Sequence, residues 1–500
     1  TLAKTRLAFD ELLLLQIKAT ARRKDWEKIV SGHAFAVDRF EKQIADFWER
    51  LPFSLTDSQK QAIHAIFQDL EKSRPMNRLL QGDVGSGKTV VATVAMYLSF
   101  LNGFQSVLMA PTEILAQQHF KTISDLLSPL GVNVDLVTGS TKAGSKKLEM
   151  RSKKLKTKPE AEKSSQFPSA RAQGEGALRN SHFDVLVGTH AVLYEKAKFN
   201  RLGLIVIDEQ QRFGVAQRSL IRQKGDNPHV LTMTATPIPR TVALTMYGDL
   251  DLSYLDDMPK GRRIIKTWLV PKQKRDGAYH WIRKQINETD SQAFIICPFI
   301  EQSETMQTVK AASVEYDRLK KEVFPDLRLG LLHGKMKTKE KDDVLLKFRE
   351  KKFDILVATP VVEVGIDIPN ATVMLIEASE RFGLAQLHQL RGRVGRGEKQ
   401  SFCLLFTETT SPQTLQKLKS LESTHVGAQL AELDLRLRGA GELYGTLQSG
   451  IPELKIASFS DVALIQKAKR TADILYTKLS TDPDLQKRFS ASIDASISPD

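Results

Sequence analysis

The run LLQGDVGSGKTV at 79–90 constrains this chain more than any other stretch. Gly82, Gly87, Lys88 and Thr89 fit the spacing G-x-x-x-x-G-K-[ST], with an apolar segment before it and VVATVAMYLSF after it. Strand, loop and helix in that order are the context a phosphate-binding loop requires. Glycines at 82, 85 and 87 let the backbone curl, so that successive N–H groups and a helix N-terminus (Gly82, Gly85, Gly87) face an anion. Lys88 then reaches the β and γ phosphates of ATP, and the Thr89 hydroxyl ligates magnesium.

Around that loop, apolar runs alternate with helical patterns. SVLMAP (106–111), VDLVTG (134–139), DVLVGT (184–189), LIVIDE (204–209) and HVLTMTAT (229–236) read as buried parallel strands. A second set, IIKTWLV (264–270), AFIICP (293–298), RLGLLHG (328–334), DILVATP (354–360), TVMLIEA (372–378) and SFCLLFT (401–407), repeats the pattern without a second phosphate loop. The expected fold class is therefore α/β, two doubly wound parallel-sheet lobes that close on one ATP, with ligands at the carboxyl ends of the strands. The predicted divisions are a helical linker at 1–50, lobe 1 at 51–258, lobe 2 at 259–410, and a helical hairpin with a tail at 411–500. Residues 141–176, rich in Lys, Ser, Ala and Gly, read as a flexible basic insertion whose lysines could add phosphate contacts.

At 500 residues the chain is too long for one core. Its 73 basic and 59 acidic residues give a net charge of +14, which favours a polyanionic partner without identifying one. Only Cys297 and Cys403 are present, both in apolar runs, which argues against a disulfide framework or a zinc site and for reduced core thiols of a cytoplasmic protein. No run approaches the roughly 20 apolar residues of a membrane span. The start at Thr1, inside a helical pattern, reads as a fragment lacking an N-terminal portion.

LIVIDEQQ (204–211) is an apolar strand ending in paired carboxylates. Alone it is an ordinary strand terminus. Behind a phosphate loop it is the Walker B arrangement, with Asp208 holding magnesium and Glu209 orienting and deprotonating the attacking water. In QLHQLRGRVGRG (386–397), a continuous helix would place Gln386, Gln389, Arg393 and Arg396 on one stripe. Such arginines can stabilise charge on a transferring phosphoryl group.

With TATPIPR (234–240), the chain resembles the superfamily-two helicases and translocases, whose lobes are RecA-like. That resemblance makes Thr234 and Thr236 the link between hydrolysis and DNA movement, and Gln59 in FSLTDSQ (53–59) the adenine reader. It places Gly365 and Asp367 of VATPVVEVGIDIPN (357–370) between nucleotide and strand. Thr112 of PTEILAQQH, Thr189 and His190 of GTHAVL, and His333 of LLHGKM become backbone-tracking residues, blind to base sequence.

The resemblance is closest to the RecG family of branch-migrating DNA helicases. RLAFDELLLLQ, LLQGDVGSGKTVVA, IDEQQRFGV, TMTATPIPRT, GDLDLSYLDDMPKGR and DLRLRGAGELYGTLQSG carry it. The last looks like a translocation motif and implicates Arg438 and Gln448. Gln211 stands where the family usually has His, its amide still able to bridge the lobes, while Pro360, Ala440 and Leu447 replace the more usual Thr, Pro and a basic residue. The family would also supply an N-terminal wedge domain ahead of the helix that begins near Leu7.

The resemblance implies an ATP-dependent, magnesium-using double-stranded DNA translocase that remodels stalled forks and Holliday junctions. It further implies a monomer of the bacterial cytoplasm and nucleoid, with a single-stranded DNA-binding protein as a partner. Two other readings are a transcription-repair-coupling translocase and a non-catalytic DNA-binding scaffold with a relic nucleotide site.

Overall fold

The computed structural model describes residues 2–27, 33–139, 183–193, 198–209, 213, 215–239, 242–243, 250–258, 263–298, 306–363, 368–438, 454, 456–459, 461–479 and 482. The basic insertion and, apart from Asp482, the expected tail at 480–500 lie outside the described residues.

Lobe 1 is a seven-stranded parallel sheet built from β1 (Asn77–Gly82), β2 (Gln105–Met109), β3 (Val134–Val137), β4 (Val185–Gly188), β5 (Leu202–Asp208), β6 (His229–Thr234) and β7 (Asp251–Leu255). Their order is β3-β4-β2-β5-β6-β1-β7. Every residue of β2, β4, β5 and β6 is buried, because helices cover both faces; that is why these strands are mostly apolar and do not alternate apolar with exposed polar residues. Helices α2 (Glu41–Glu49), α3 (Asp57–Leu70), α4 (Lys88–Leu101), α5 (Glu113–Leu127) and α6 (Val215–Arg222) flank it. Phe47, Ile63, Ile66, Val91 and Leu98 fill the larger core.

Edge strand β7 was absent from the sequence reading. It pairs with β1 through Leu79↔Leu252 and Gln81↔Tyr254, and only Ser253 and Leu255 are buried. A half-buried edge strand lacks the apolar run that marked the others.

Lobe 2 repeats the architecture with β8 (Lys266–Val270), β9 (Gln292–Ile296), β10 (Leu329–Leu332), β11 (Ile355–Ala358), β12 (Ala371–Ile376) and β13 (Phe402–Phe406), ordered β10-β11-β9-β12-β13-β8 and all parallel. Helices α7 (Arg275–Thr289), α8 (Met306–Arg318), α9 (Thr338–Arg349) and α10 (Leu384–Arg391) belong to it. Cys297 and Cys403 are buried free thiols in its core, and burial pushes Cys403 up to about 12, which leaves it unreactive.

The hairpin is α11 (Pro412–Ser423) and α12 (Gly427–Arg438), followed by α13 (Val462–Leu479). Helix α1 (Leu2–Glu27) packs along α13 and buries Ala8, Leu12 and Ile17 against Ile465, Ala468 and Ala472. Its Glu11 carboxylate accepts from the N–H groups of Ile456 (3.1 Å) and Ala457 (2.8 Å). The N-terminal helix thus finds its apolar partner at the opposite end of the chain. Among the described residues no helix is long and apolar enough to cross a membrane.

His229, at the head of β6, ties the sheet to the segment ahead of it. Its Nδ1 accepts from Met76 N–H (2.9 Å) and its Nε2 donates to the His33 carbonyl (2.8 Å), a pattern only the neutral ring can satisfy. Burial pushes its pKa from 6.5 down to about 4. The unfolded chain therefore takes up a proton that the fold refuses, and stability falls as pH drops between those two values, by about 3 kcal/mol in all. His229→Gln, whose amide can both accept and donate, should flatten this slope. Denaturant midpoints at about pH 7 and about pH 4.5 check it; an unchanged slope would exonerate His229.

Candidate active site

Strands β5, β6 and β1 are neighbours, so Asp208, Thr234 and Gly82 arrive side by side at one edge of the sheet. The register pairs Asp208 with Met233 and Gln81 with Thr234. Three motifs scattered over 150 residues of chain are gathered here by strand order alone.

The phosphate loop runs from β1 into α4. Gly85 (φ 79°) and Gly87 (φ 87°) take the left-handed conformation that the turn needs. The Lys88 ammonium folds back and donates to the carbonyls of Gly82 (2.7 Å) and Asp83 (3.0 Å). Burial lowers its pKa; Glu209, Asp208 and Asp83 oppose that, and Arg393 adds to it.

Gln59 is buried beneath the loop. It forms a capping box with Thr56 at the start of α3, its Oε1 accepting from Thr56 N–H (2.9 Å), while its Nε2 donates to the Ser86 carbonyl (2.8 Å). Gln59, expected as an adenine reader, also braces the phosphate loop from beneath.

Asp208, 7% exposed, receives hydrogen bonds from His119 Nε2 (2.8 Å) and from Glu209 N–H (3.1 Å). Burial pushes its carboxyl up, but His119 and Lys88 outweigh this and hold it below the usual carboxylate range. Glu209 follows with φ at 51°, a left-handed turn that costs an ordinary side chain about 1–2 kcal/mol. An ionised carboxylate at the strand end and the Thr89 hydroxyl in the first turn of α4 are hard oxygen donors of the kind magnesium takes.

On lobe 2, the expected helical stripe is corrected. Helix α10 ends at Arg391, with Gly392 as its C-cap, so only Gln386 and Gln389 are helical. Arg393 and Arg396 lie in the loop beyond, where Gly395 turns left-handed (φ 76°). The glycines of this run terminate the helix. Arg393 is nonetheless 4% exposed and within the field of Lys88. A Cβ on Gly392 would stand 3.1 Å from Val84 Cβ, so the end of α10 lies directly on the phosphate loop.

Two further bonds join the lobes. Gln389 Nε2 donates to Thr236 Oγ1 (3.0 Å), and Thr236 N–H in turn donates to Thr234 Oγ1 (3.1 Å). His388 Nε2 lies 3.1 Å from Asp83 Oδ1.

Three regions of the chain match family models: the DEAD/DEAH box helicase at residues 56–245, the helicase conserved C-terminal domain at 277–398, and the ATP-dependent DNA helicase RecG, domain 3, C-terminal at 424–493. Among curated proteins, the ATP-dependent DNA helicase RecG of Synechocystis sp. is 44% identical over 97% of this chain and 55% of its own length. That of Thermotoga maritima is 43% identical over 93% of this chain and 56% of its own. A solved structure of RecG bound to a three-way DNA junction aligns with a TM-score of 0.73 at 39% identity, covering 94% of this chain and 57% of that one. The chain belongs to the RecG family. It spans a little over half the length of these RecG relatives. Mss116p bound to single-stranded RNA shares the fold alone (TM-score 0.53, 20% identity).

The residues that the superfamily-two resemblance makes backbone-tracking all sit at strand ends. Thr112 caps α5 after β2, accepting from Leu115 N–H (3.3 Å). Thr189, 2% exposed, follows β4 and precedes the exposed His190. His333 follows β10 on the other lobe. They occupy the β4-β2 side of lobe 1 and the β10 edge of lobe 2, apart from the β6-β1 side that carries the phosphate loop. Gln211, Gly365, Asp367, Ala440, Leu447 and Gln448 lie outside the described residues, as does the side chain of Arg438 at the end of α12. Pro360 opens a short turn after β11.

Sequence reasoning passed over Asp83, His119, His388 and Gly427. His119 closes the run PTEILAQQH that was read as strand-tracking, yet its ring holds Asp208. His388 lies inside the arginine run, one turn ahead of Gly392.

Proposed function

We propose that this chain is the motor of a branched-DNA helicase: an ATP-driven translocase on duplex DNA that remodels stalled forks and Holliday junctions. What carries the reading is the end of α10 of lobe 2 lying against the only phosphate-loop motif in the sequence, with Gly392 over Val84, Gln389 bonded to Thr236, and buried Arg393 next in the chain. One nucleotide gripped by two lobes is the arrangement a lobe-closing motor needs.

On this reading Lys88 exchanges its carbonyl partners for the β and γ phosphates. Thr89 and Asp208 would hold magnesium, which supplies charge neutralisation on the phosphates when bound. Glu209 orients and deprotonates the water, and Arg393 and Arg396 stabilise the charge that develops on the transferring group. Gln211, Gly365 and Asp367 complete the nucleotide side by family resemblance. The Gln389–Thr236–Thr234 chain then passes lobe closure into lobe 1, a population shift set by the γ phosphate. Thr112, Thr189, His190 and His333 track the backbone, and Arg438 and Gln448 relay closure to duplex DNA. DNA is the proposed partner, with a single-stranded DNA-binding protein as a second, and the motor acts as a monomer in the bacterial cytoplasm and nucleoid.

Steady-state ATP hydrolysis with no DNA, single strands, linear duplex and a four-way junction tests this, with Lys88→Ala as the blank. Duplex or junction DNA is expected to raise the rate at least about tenfold over no DNA, a difference of about 1.4 kcal/mol in barrier. Equal rates in all four conditions would contradict a DNA-driven motor.

A further inference from the structure

On the motor reading above, we propose that Asp83 couples the phosphate loop directly to the α11–α12 hairpin, as a positioning residue that reports the state of Lys88. The phosphate-loop pattern leaves this position open, so the loop itself does not require an aspartate. Here the two ends of the residue serve different masters. Its backbone carbonyl accepts from Lys88 Nζ (3.0 Å). Its carboxylate leaves lobe 1 altogether: Oδ1 faces His388 Nε2 on α10 (3.1 Å), and Oδ2 accepts from the N–H of Gly427, the first residue of α12 (3.0 Å).

The chain of bonds continues through His388. Arg391 lies 2.9 Å from His388 Nδ1 and, having only donors, must donate to it, which fixes the ring proton on Nε2 pointing at Asp83. The same guanidinium donates to the carbonyls of Leu421 (2.7 Å) and Thr424 (3.1 Å) at the end of α11. Both helices of the hairpin are thus held at their junction, α11 through Arg391 and α12 by Asp83 itself.

Fit at this junction is close. A Cβ on Gly427 would stand 2.2 Å from Asp83 Oδ1 and 2.9 Å from His388 Nε2, so only glycine brings the start of α12 this near. A carboxylate at a helix N-terminus is favoured by the aligned peptide dipoles. Burial pushes the Asp83 carboxyl up, but His388 and the Gly427 N–H outweigh it and keep it ionised. When phosphate draws Lys88 off the Asp83 carbonyl, the peptide that carries this carboxylate is released. The hairpin feels the change without waiting for Arg393 or Arg396.

Hydrogen–deuterium exchange on the 500-residue chain, with and without a non-hydrolysable ATP analogue and magnesium, separates coupling from mere packing. In the wild type, nucleotide is expected to slow exchange at 82–89 and to change it several-fold at 412–438. In Gly427→Ala the loop should still respond while the hairpin response is lost, with DNA-independent hydrolysis unchanged. His388→Ala should also lose the hairpin response while the loop still responds, and His388→Gln, which restores a donor toward Asp83, should recover it. A hairpin that responds normally in both Gly427→Ala and His388→Ala overturns the coupling alone, as does a wild-type hairpin indifferent to nucleotide. No slowing at 82–89 in the wild type overturns the motor reading, and the coupling with it.

Discussion

Arg393→Ala is expected to lower the turnover number for DNA-stimulated ATP hydrolysis about 10³-fold, while ATP affinity changes by no more than a few-fold. The asymmetry follows from when the guanidinium acts. On the proposed reading, ground-state ATP would be held by the loop N–H groups and by Lys88, all on lobe 1. Arg393 comes from lobe 2 and, in the proposed role, would meet charge that grows only as the γ phosphoryl group departs, so its loss should raise the barrier more than the binding energy. Its burial sharpens the effect, because at 4% exposure little water is present to replace the missing charge. Arg393→Lys should rescue poorly, since a point charge cannot reproduce the planar fork. Single-turnover hydrolysis with equilibrium binding of a fluorescent ATP analogue is the measurement. A loss of affinity as large as the loss of rate would place Arg393 in ground-state binding.

The doubly wound fold was legible because a strand buried on both faces leaves an unmistakable trace. LIVID, FII, ILVA and VMLI stand in β5, β9, β11 and β12, where every residue is buried. Where burial is partial the trace fades. DLSYL of β7 alternates, pairs only with β1 and went unread. The arginine run failed differently: spacing arithmetic assumes that a helix continues, and Gly392 ends it.

The site divides along the same line. The placement of Lys88 and Thr89 at a helix start and of Asp208–Glu209 at a strand end was readable because each motif is contiguous and its neighbours prescribe its shape. The contacts that tune them are not contiguous. His119 meets Asp208 across 89 positions, and Gly427 meets Asp83 across 344. Such pairings are decided by strand order and lobe closure. A histidine within a helical run looks the same in one dimension whether it tracks a strand or holds a carboxylate.

Gly87→Ala is expected to weaken ATP binding about 10²-fold while leaving the fold intact. Two separate effects converge at this residue. At φ 87° and ψ 24° the backbone is left-handed, which costs a side chain about 1–2 kcal/mol. The new Cβ would also stand 2.2 Å from Gln59 Nε2. Gln59 has little room to retreat: it is 2% exposed, and its Oε1 is held by Thr56 N–H in the capping box. Either the loop peptide shifts, or Gln59 gives up the Ser86 carbonyl and leaves it buried without its partner, at about 1–3 kcal/mol. Both outcomes turn loop N–H groups away from the phosphates. Gln59→Ala added to Gly87→Ala removes the overlap and leaves only the left-handed strain. The double variant should therefore bind ATP better than the two single losses combined would give. Isothermal titration on the four proteins, with thermal unfolding to confirm the fold, checks this. Strict additivity would mean that the overlap with Gln59 is not what disables the loop.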